Sequence, residues 1–391
     1  MATPAGAGAG PKDSNSSGIC IGADYPGGNI IVEDIANDTV SLRQDRRDTE
    51  GWWFYWNFRV RGAAGKTLTF SFTDKNPIGV RGPAVSTDGG ASWSWLGKRA
   101  VTGASFRYRF LQNDKDVRFC LAMPYQASDL KRFLDRHATN PHLSAGTICG
   151  TRKGRPVECV HAGKLDGDPR YRILLTCRHH ACEMMASYCL EGVLEAILAE
   201  TDDGAWFRRN VEVMAIPFMD KDGVEDGDQG KNRRPHDHNR DYLGRSIYRS
   251  VRALRERVPK WSGGRLRLAL DLHCPYIRGP HNEVIYQVGS SNAAIWAEQR
   301  KFGKVLQTVR TGPLIYRTQD DLPFGKAWNT AKNYTAGKNF SRWAGELEGV
   351  LIAATIEIPY ANAAGSTVTP ATARAFGHDL ARAIREYLSS R

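Results

Sequence analysis

The sequence changes character after Pro124 and Tyr125, and this change constrains the fold more than any other feature. Before it, short strand-like segments are separated by turn residues such as Gly, Pro, Asn and Asp. The predicted strands are residues 29–35, 52–60, 66–72, 93–96, 106–110 and 117–122. Short strands at this spacing are typical of a β-sandwich. We therefore expect an all-β sandwich domain over residues 19–126, preceded by a small, polar, disordered tail over residues 1–18.

From residue 127 onwards strands and helices alternate, which predicts an α/β domain with a mostly parallel or mixed sheet over residues 127–391. The predicted strands are residues 146–151, 171–176, 212–216, 266–272, 284–287 and 352–358. The predicted helices are residues 130–137, 182–199, 246–257, 291–310 and 370–388. In such sheets, binding sites gather at the carboxyl ends of the strands. Reactive side chains that follow a strand are therefore the first candidates for a functional site.

His180 and Glu183 follow the predicted strand 171–176 and are three residues apart. On the first turn of a helix, this spacing would point both side chains the same way. Imidazole nitrogen and carboxylate oxygen are both good zinc ligands. Of the adjacent His179 and His180, only His180 has a glutamate three residues later. By itself, however, the pair is more typical of a solvated helix start.

Two further candidates lie in or after other apolar strands. His273 comes directly after strand 266–272 and is a candidate third ligand. Glu357 interrupts the apolar strand 352–358. Since a lone buried charge is costly, Glu357 must face solvent, be paired or be functional. Beside a metal it would accept a proton from a coordinated water, whose pKa a metal lowers to about 7.

A polar segment, residues 223–242, lies between these strands. The simplest interpretation is a solvated loop. Its guanidinium, imidazole and amide groups are also suited to gripping a carboxylate and stabilising an oxyanion. His236 and His238 in this segment are rival metal ligands.

With these residues in this order, residues 130–391 resemble the zinc metallocarboxypeptidases, particularly their cytosolic-carboxypeptidase branch. The family pattern is His-x-x-Glu, a Gly-Asn segment with an arginine, Asp-x-Asn-Arg, a strand-end His and a late strand Glu. The aromatic strand Trp-Phe-Tyr-Trp-Asn-Phe of the sandwich resembles the N-terminal domain of that branch. The resemblance implies a mixed central sheet flanked by helices, one Zn²⁺ per chain, and hydrolysis of the C-terminal bond of a peptide or protein.

The resemblance also implies roles for the metal ligands and the base. His180, Glu183 and His273 match the zinc ligands, and Glu357 matches the general base. Proton removal by Glu357 would generate the nucleophile, and the same proton would pass to the leaving amine.

The polar segment supplies the implied substrate contacts. Asn239 and Arg240 match the pair that binds the terminal carboxylate, and Asp237 matches the residue that orients a ligand imidazole. Arg233 best matches the arginine that polarises the scissile carbonyl. Its neighbour Arg234 is the alternative, because the stretch up to Asn239 is shorter than in most members.

Three residues remain to be placed. Tyr334 matches the mobile tyrosine that closes over the substrate. Arg342 lies in the region that lines the side-chain pocket, so we expect a preference for acidic C-terminal residues, unless this cation points to solvent. His238 departs from the family pattern, and we expect it to be structural or to support a ligand rather than to bind metal.

Other functions remain open at the level of sequence. A zinc-dependent deacylase or amidase acting on N-acyl amino acids or related small amides would share the His-x-x-Glu pattern and the Asn-Arg anchor. A non-catalytic binding protein would have kept only the fold. The net charge of +12 favours acidic partners, but no lysine tract or RNA-binding signature supports nucleic acid as a partner.

The eight cysteines form no zinc-ribbon or CxxC pattern, and several lie in apolar segments. Free cysteines of this kind favour a reducing, cytoplasmic location. Export with a signal peptide absent from this chain is the alternative. No apolar run approaches membrane-spanning length, so we expect no membrane partner.

Overall fold

A computed structural model describes residues 18–391, so that the predicted tail lies outside the described residues except for Gly18. Residues 20–120 form two five-stranded sheets. The first runs in the order β1 (Cys20–Gly22), β4 (Asn57–Arg61), β10 (Val117–Cys120), β6 (Ala84–Ser86) and β7 (Ser94–Trp95). The second runs in the order β2 (Ile31–Ala36), β3 (Thr39–Arg43), β5 (Thr67–Phe72), β9 (Ser105–Arg109) and β8 (Val101–Thr102).

Aromatic rings join these two sheets into a sandwich. Phe58 and Phe119 belong to the first sheet, whereas Phe70 and Phe106 belong to the second. The ring centroids of Phe58 and Phe70 lie 5.3 Å apart, and those of Phe106 and Phe119 lie 5.2 Å apart. All four rings are buried. The sheets therefore pack face to face through the alternating inward side chains of their strands.

The predicted strand 52–60 is wrong in its first half, because the strand begins only at Asn57. In the preceding aromatic stretch, the backbone of Tyr55 pairs with a side chain instead of a strand. The Tyr55 backbone N–H donates to Gln229 Oε1 at 2.8 Å, and Gln229 Nε2 donates to the Tyr55 carbonyl at 3.0 Å. This pairing ties the sandwich to the polar segment of the α/β part.

The third sheet has seven strands and is mixed, as the sequence predicted. Its order is β11 (Leu143–Gly150), β12 (Pro156–Gly163), β14 (Val211–Ile216), β13 (Tyr171–Cys177), β15 (Leu266–His273), β17 (Ile352–Glu357) and β16 (Tyr286–Val288). The four strands from β14 to β17 in this order run parallel, and the outer strands are antiparallel. Strand β17 is buried along its whole length, as expected where helices cover both faces.

In the part of the chain that the structure describes, eight α-helices accompany this sheet. They are α1 (Ala127–Arg136), α2 (Met184–Leu198), α3 (Asp202–Asn210), α4 (Lys221–Asp226), α5 (Arg249–Ser262), α6 (Ala293–Val309), α7 (Phe340–Ala344) and α8 (Pro370–Ser389). A hairpin, β18 (Asn362–Ala363) and β19 (Ser366–Thr367), precedes α8. Within residues 18–391, none of the helices has the length and apolar character needed to cross a bilayer.

Two glycines allow α2 and α8 to pack closely. A Cβ on Gly192 would lie 2.1 Å from the Arg374 carbonyl oxygen, and a Cβ on Gly377 would lie 2.2 Å from the Cys189 carbonyl oxygen. Each helix therefore presents a glycine to the backbone of the other. This contact fixes α2, whose N-terminus follows the candidate ligands His180 and Glu183.

The sequence prediction missed β12 in the large sheet, the short strands β1, β3, β6, β8, β18 and β19, and the short helices α3, α4 and α7. Helices of five to nine residues are too short to establish a clear hydrophobic period. Helix α4 begins at Lys221, two residues before the polar segment. Asp220 caps it by accepting a hydrogen bond from the Gly223 N–H at 3.0 Å. The helix ends at Gly227, which has a φ of 78°. Part of the segment that was interpreted as a loop is therefore helical.

Candidate metal centre and active site

Three adjacent parallel strands end at the same edge of the large sheet. Strands β13, β15 and β17 end at Cys177, His273 and Glu357. His273 and Glu357 are direct partners in the register of β15 and β17. The two side chains predicted at strand ends therefore lie next to each other at the carboxyl edge of the sheet.

The loop after β13 is shaped by Arg178, which is fully buried and has a φ of 59°. Its guanidinium donates to the carbonyl oxygens of Ala181 and Tyr125, both at 2.9 Å. The loop carries His180 and Glu183, which lie in the turn before α2 rather than on its first turn, because the helix begins only at Met184. Internal hydrogen bonds, and not the helix, therefore set the geometry of this pair.

His180 and Glu183 of this loop converge with His273 at the end of β15. His180 Nδ1 lies 3.0 Å from Glu183 Oε1, and His273 Nδ1 lies 2.7 Å from Glu183 Oε2. All three residues are buried, and one ligand atom from each lies within 4.8 Å of the others. Two imidazole nitrogens and a carboxylate are a ligand set of catalytic zinc sites. These residues, which we call the ligand triad, therefore fit Zn²⁺.

The second nitrogen of each imidazole faces a carboxylate. His273 Nε2 lies 2.6 Å from Asp271 Oδ2, and His180 Nε2 lies 3.8 Å from Asp237 Oδ1. Burial opposes the ionisation of both aspartates, but the neighbouring histidines hold their pKa values well below the usual range. Carboxylates in this position fix the ring orientation and leave Nδ1 for a metal.

A second group of ligand-type atoms, from His179, Asp271 and His273, shares one histidine with the triad. Both nitrogens of His179 already have partners. Nδ1 lies 2.8 Å from Asp271 Oδ1, and Nε2 lies 2.7 Å from the hydroxyl of Tyr242. His179 thus positions the Asp271 carboxylate by a hydrogen bond, and Asp271 in turn orients the His273 ring. The sequence contained a signal for Asp271, because residues two apart on a strand share one face, but none for Tyr242.

Glu357 lies beside the triad and is 7% exposed. Burial, together with the negative charge on Glu183, raises the pKa of Glu357 to about 7. Within residues 18–391, Glu357 Oε2 is buried and has no hydrogen-bond partner. The Glu357 carboxylate can therefore bind or release a proton near neutral pH at Oε2, which makes no hydrogen bond to another group of the described chain.

Asn239 lies next to the triad, and Arg240 follows it on the polar segment. Asn239 Nδ2 lies 3.3 Å from His273 Nε2, and Asn239 Oδ1 accepts from the Phe340 N–H at 3.0 Å. Arg240 donates to the carbonyl oxygens of Asn239 and Asn333 at 2.9 Å and 3.2 Å. Backbone contacts thus fix both side chains, and Asn239 also contacts His273 of the ligand triad.

Tyr334 and Arg342 line a cavity of about 370 Å³. The Arg342 guanidinium carbon lies 3.8 Å from the Tyr334 ring centroid, and that of Arg240 lies 5.3 Å from the same ring. Lys338, which also lines the cavity, pairs with Glu346 at 2.8 Å. Tyr334 therefore links the Asn239–Arg240 pair to the cavity.

Arg233 is not brought to the ligand triad, in contrast to its expected role at the scissile carbonyl. Its Nε, Nη1 and Nη2 atoms contact Asp48, Asp220 and Asp228 at 3.0, 2.7 and 2.8 Å. Arg233 points away from the triad because each nitrogen of its guanidinium is paired with one of the three carboxylates of this cluster. The alternative, Arg234, is 83% exposed and pairs with Glu50.

The rival histidines also lie outside the triad. His236 Nε2 contacts Asp241 Oδ1 at 2.8 Å. The His238 ring stacks on Tyr248 at a centroid distance of 3.6 Å, and burial lowers its pKa to about 3. Its Nε2 lies 3.8 Å from Asp220, next to the Arg233 cluster.

Lys231 is a functional candidate that the sequence interpretation missed. Its Nζ lies 2.7 Å from Glu183 Oε1 and 5.1 Å from the centroid of the Trp53 ring. The available signal was its position between Gly230 and Asn232, one residue from the asparagine of the family's Gly-Asn segment. A contact with Trp53, far away in the sequence, could not be derived from spacing.

Comparison with known proteins supports this fold. No family model matches the chain. A stretch of 156 residues, 38% of the chain, is 25% identical to cytosolic carboxypeptidase 2 of Xenopus tropicalis, and it spans only 16% of that protein.

Solved structures match almost the whole chain. The metallo-carboxypeptidase of Burkholderia cenocepacia has a TM-score of 0.79 at 19% identity, covering 95% of this chain and 99% of that one. The metallo-carboxypeptidase of Pseudomonas aeruginosa, solved with (2-guanidinoethylmercapto)succinic acid, has a TM-score of 0.72 at 20% identity, covering 94% and 99%. The predicted resemblance is therefore confirmed at the level of the fold: this chain has the metallo-carboxypeptidase fold, including its N-terminal sheets.

Proposed function

We propose that this protein is a zinc-dependent metallocarboxypeptidase that hydrolyses the C-terminal bond of peptides or proteins. One observation carries the proposal: His180, Glu183 and His273 converge from two strand ends, with Glu357 beside His273 in register. One Zn²⁺ per chain would be held by the Nδ1 atoms of the two histidines and the carboxylate of Glu183. A bound Zn²⁺ supplies Lewis acidity, which polarises a carbonyl and lowers the pKa of a coordinated water to about 7.

Glu357 is the general base in this proposal. Its pKa of about 7 suits a group that takes up a proton and returns it near neutral pH. Its unpartnered Oε2 is the atom that receives the proton from the attacking water. The same atom then delivers the proton to the leaving amine nitrogen.

Asn239 and Arg240 restrict cleavage to a chain end. The Arg240 guanidinium contacts two backbone carbonyls and has no carboxylate partner within residues 18–391. A free terminal carboxylate is its natural partner, since guanidinium and carboxylate form strong charge-assisted hydrogen bonds. Tyr334 lies against the Arg240 guanidinium and closes over the substrate. Asp237 acts indirectly, by orienting His180.

The cavity lined by Arg342 favours an acidic C-terminal side chain. Arg342 lies against the Tyr334 and Phe324 rings and has no carboxylate partner within the described chain. Lys338 is already neutralised by Glu346. The Arg342→Glu variant should therefore lose the preference for C-terminal Glu over Leu, measured as a ratio of kcat/KM values, whereas Lys338→Met should keep it. An unchanged ratio in Arg342→Glu would exclude this specificity.

The proposal is tested by product analysis on matched substrates. Mass spectrometry should show release of one residue at a time from peptides with a free C-terminus and none from the C-terminally amidated peptides. Glu357→Gln should lose about 10²–10⁴-fold in kcat, the range of general-base contributions. Cleavage of N-acyl amino acids but of no peptide would instead favour the deacylase or amidase function.

A further inference from the structure

We infer that Lys231, held by the N-terminal sandwich, supplies the positive charge that stabilises the oxyanion formed on the scissile carbonyl. The inference rests on the proposed carboxypeptidase function and names a residue that the family pattern does not supply. The arginine expected in this role, Arg233, has all its nitrogens bound by carboxylates. The site therefore needs a different cation.

Among residues 18–391, Lys231 is the lysine or arginine whose side chain pairs with a residue of the ligand triad. Its Nζ lies 2.7 Å from Glu183 Oε1, and its side chain is only 16% exposed. An ammonium group has three N–H donors, so it can contact Glu183 and a neighbouring carbonyl oxygen at once. In a site shielded from water, a fixed charge stabilises a developing oxyanion far more than it would in solution.

The backbone that carries Lys231 is clamped by residues before β4. The Gly230 N–H donates to Asp48 Oδ2 at 2.8 Å. The Thr49 hydroxyl donates to the Lys231 carbonyl at 2.6 Å, and the Glu50 N–H donates to the Asn232 carbonyl at 3.1 Å. A cation that is positioned before the substrate binds does not have to be reoriented during the reaction.

Gly230 lets this segment approach the ligand loop. It has a φ of 77°, and a Cβ there would lie 2.2 Å from the Ala181 N atom. Ala181 directly follows the candidate ligand His180. Lys231 is therefore placed by a close backbone contact that only glycine permits.

The Trp53 ring provides the other side of the ammonium site. Lys231 Nζ lies 5.1 Å from its centroid, within the range of a cation–π contact. Trp53 belongs to the aromatic segment that pairs with Gln229. The sandwich thus has a defined task in this inference, which is to position a catalytic cation.

The test compares Lys231→Met with a matched control, Lys221→Met. Lys221 is also a buried lysine: its Nζ lies 2.6 Å from Glu158 Oε1 and 4.6 Å from the Phe218 ring centroid. Lys231→Met should lower kcat by about 10²–10³-fold, as removal of one oxyanion donor does, with little change in KM. Lys231→Arg should recover part of this loss, and Lys221→Met should keep the wild-type kcat.

Zinc affinity gives a readout that is independent of turnover. Lys231→Met should bind Zn²⁺ about tenfold or more tightly, in competition with a chromophoric chelator, because the ammonium repels the metal and competes for Glu183. A purely structural role would weaken zinc binding and lower Tm. Trp53→Leu should reduce kcat by about tenfold while Tm stays near that of the wild type. This variant keeps the Lys231 ammonium but removes the ring that holds it in position.

Two results would overturn the inference: a kcat of Lys231→Met within threefold of the wild type, or weaker zinc binding by this variant. If Lys231→Met does not fold, Lys231→Gln carries the same expectations with a polar side chain. If the wild type cleaves no peptide, the proposed function fails, whereas the zinc measurement still decides whether the Lys231 charge acts on the metal position.

Discussion

Replacing Arg233 with Met is expected to destabilise the fold rather than to disable the chemistry. The guanidinium side chain is 14% exposed and contacts Asp48, Asp220 and Asp228. Without it, Asp48 and Asp220 lose this cation and Asp228 keeps its contact with Arg47 at 3.1 Å, so that the three carboxylates face one another in a partly dry environment. Breaking a buried ion pair costs about 3–5 kcal/mol, because the remaining charges are left unpaired. This is a large part of the roughly 5–15 kcal/mol that stabilises a folded domain.

This loss can be measured as a shift in thermal unfolding. At about 2–4 °C per kcal/mol, Tm should fall by roughly 6–20 °C. The Tm of Arg233→Lys should lie between those of Arg233→Met and the wild type, since one ammonium group cannot replace a planar guanidinium that contacts three carboxylates. Arg234→Met is the matched control, and its Tm should stay close to that of the wild type because this side chain is 83% exposed.

The activity of the folded Arg233→Met variant completes the test. Measured below its unfolding transition, kcat should remain within about tenfold of the wild type, since no nitrogen of Arg233 is free to contact a substrate. An unchanged Tm together with a kcat that falls about 10²–10³-fold would contradict this expectation. That result would mean that the guanidinium contacts the scissile carbonyl, as the family resemblance implied.

Three further predictions concern single positions. Gly230→Ala should reduce kcat by at least about tenfold, because a Cβ with this positive φ pushes the segment off the ligand loop; wild-type kinetics would contradict this. Gly192→Ala should lower Tm, although alanine is favoured over glycine in helices by up to about 1 kcal/mol, since the new Cβ would lie 2.1 Å from a carbonyl oxygen of α8; a higher Tm would contradict the packing. Burial opposes the charge on His161, but contacts with Cys159 and Glu212 raise its pKa to about 9. The stability that this charge contributes is therefore complete below about pH 6.5 and lost as the pH rises through 9, so the Tm difference between wild type and His161→Gln should shrink over that range; a constant difference would exclude the linkage.

The strands that carry the site could be predicted from the sequence, and the reason is their burial. Strands β13 and β15 were predicted within one residue at each end, because long apolar runs are typical of central parallel strands. The strand-end rule then located His273, and the cost of a lone buried charge singled out Glu357 in strand 352–358. Strand β12 escaped prediction, because Glu, Cys and His interrupt its apolar pattern.

The roles of the cations could not be predicted, because they depend on partners that are distant in the sequence. Whether Arg233 faces a substrate or a carboxylate is decided by Asp48, which belongs to the sandwich. The position of Lys231 is likewise decided by Trp53. Motif spacing places such residues in one segment but does not determine which of them points to the metal.

Metal analysis combined with peptide hydrolysis tests the central claim most directly. We predict one Zn²⁺ per chain in the wild type and in Glu357→Gln, with hydrolysis of a C-terminal residue about 10²–10⁴-fold slower in the variant. Removal of the metal with a chelator should abolish hydrolysis, and Zn²⁺ should restore it. In His180→Ala, zinc binding should be strongly weakened, because a ligand of the triad is lost. Hydrolysis that persists without zinc, or in Glu357→Gln at the wild-type rate, would contradict the proposed site.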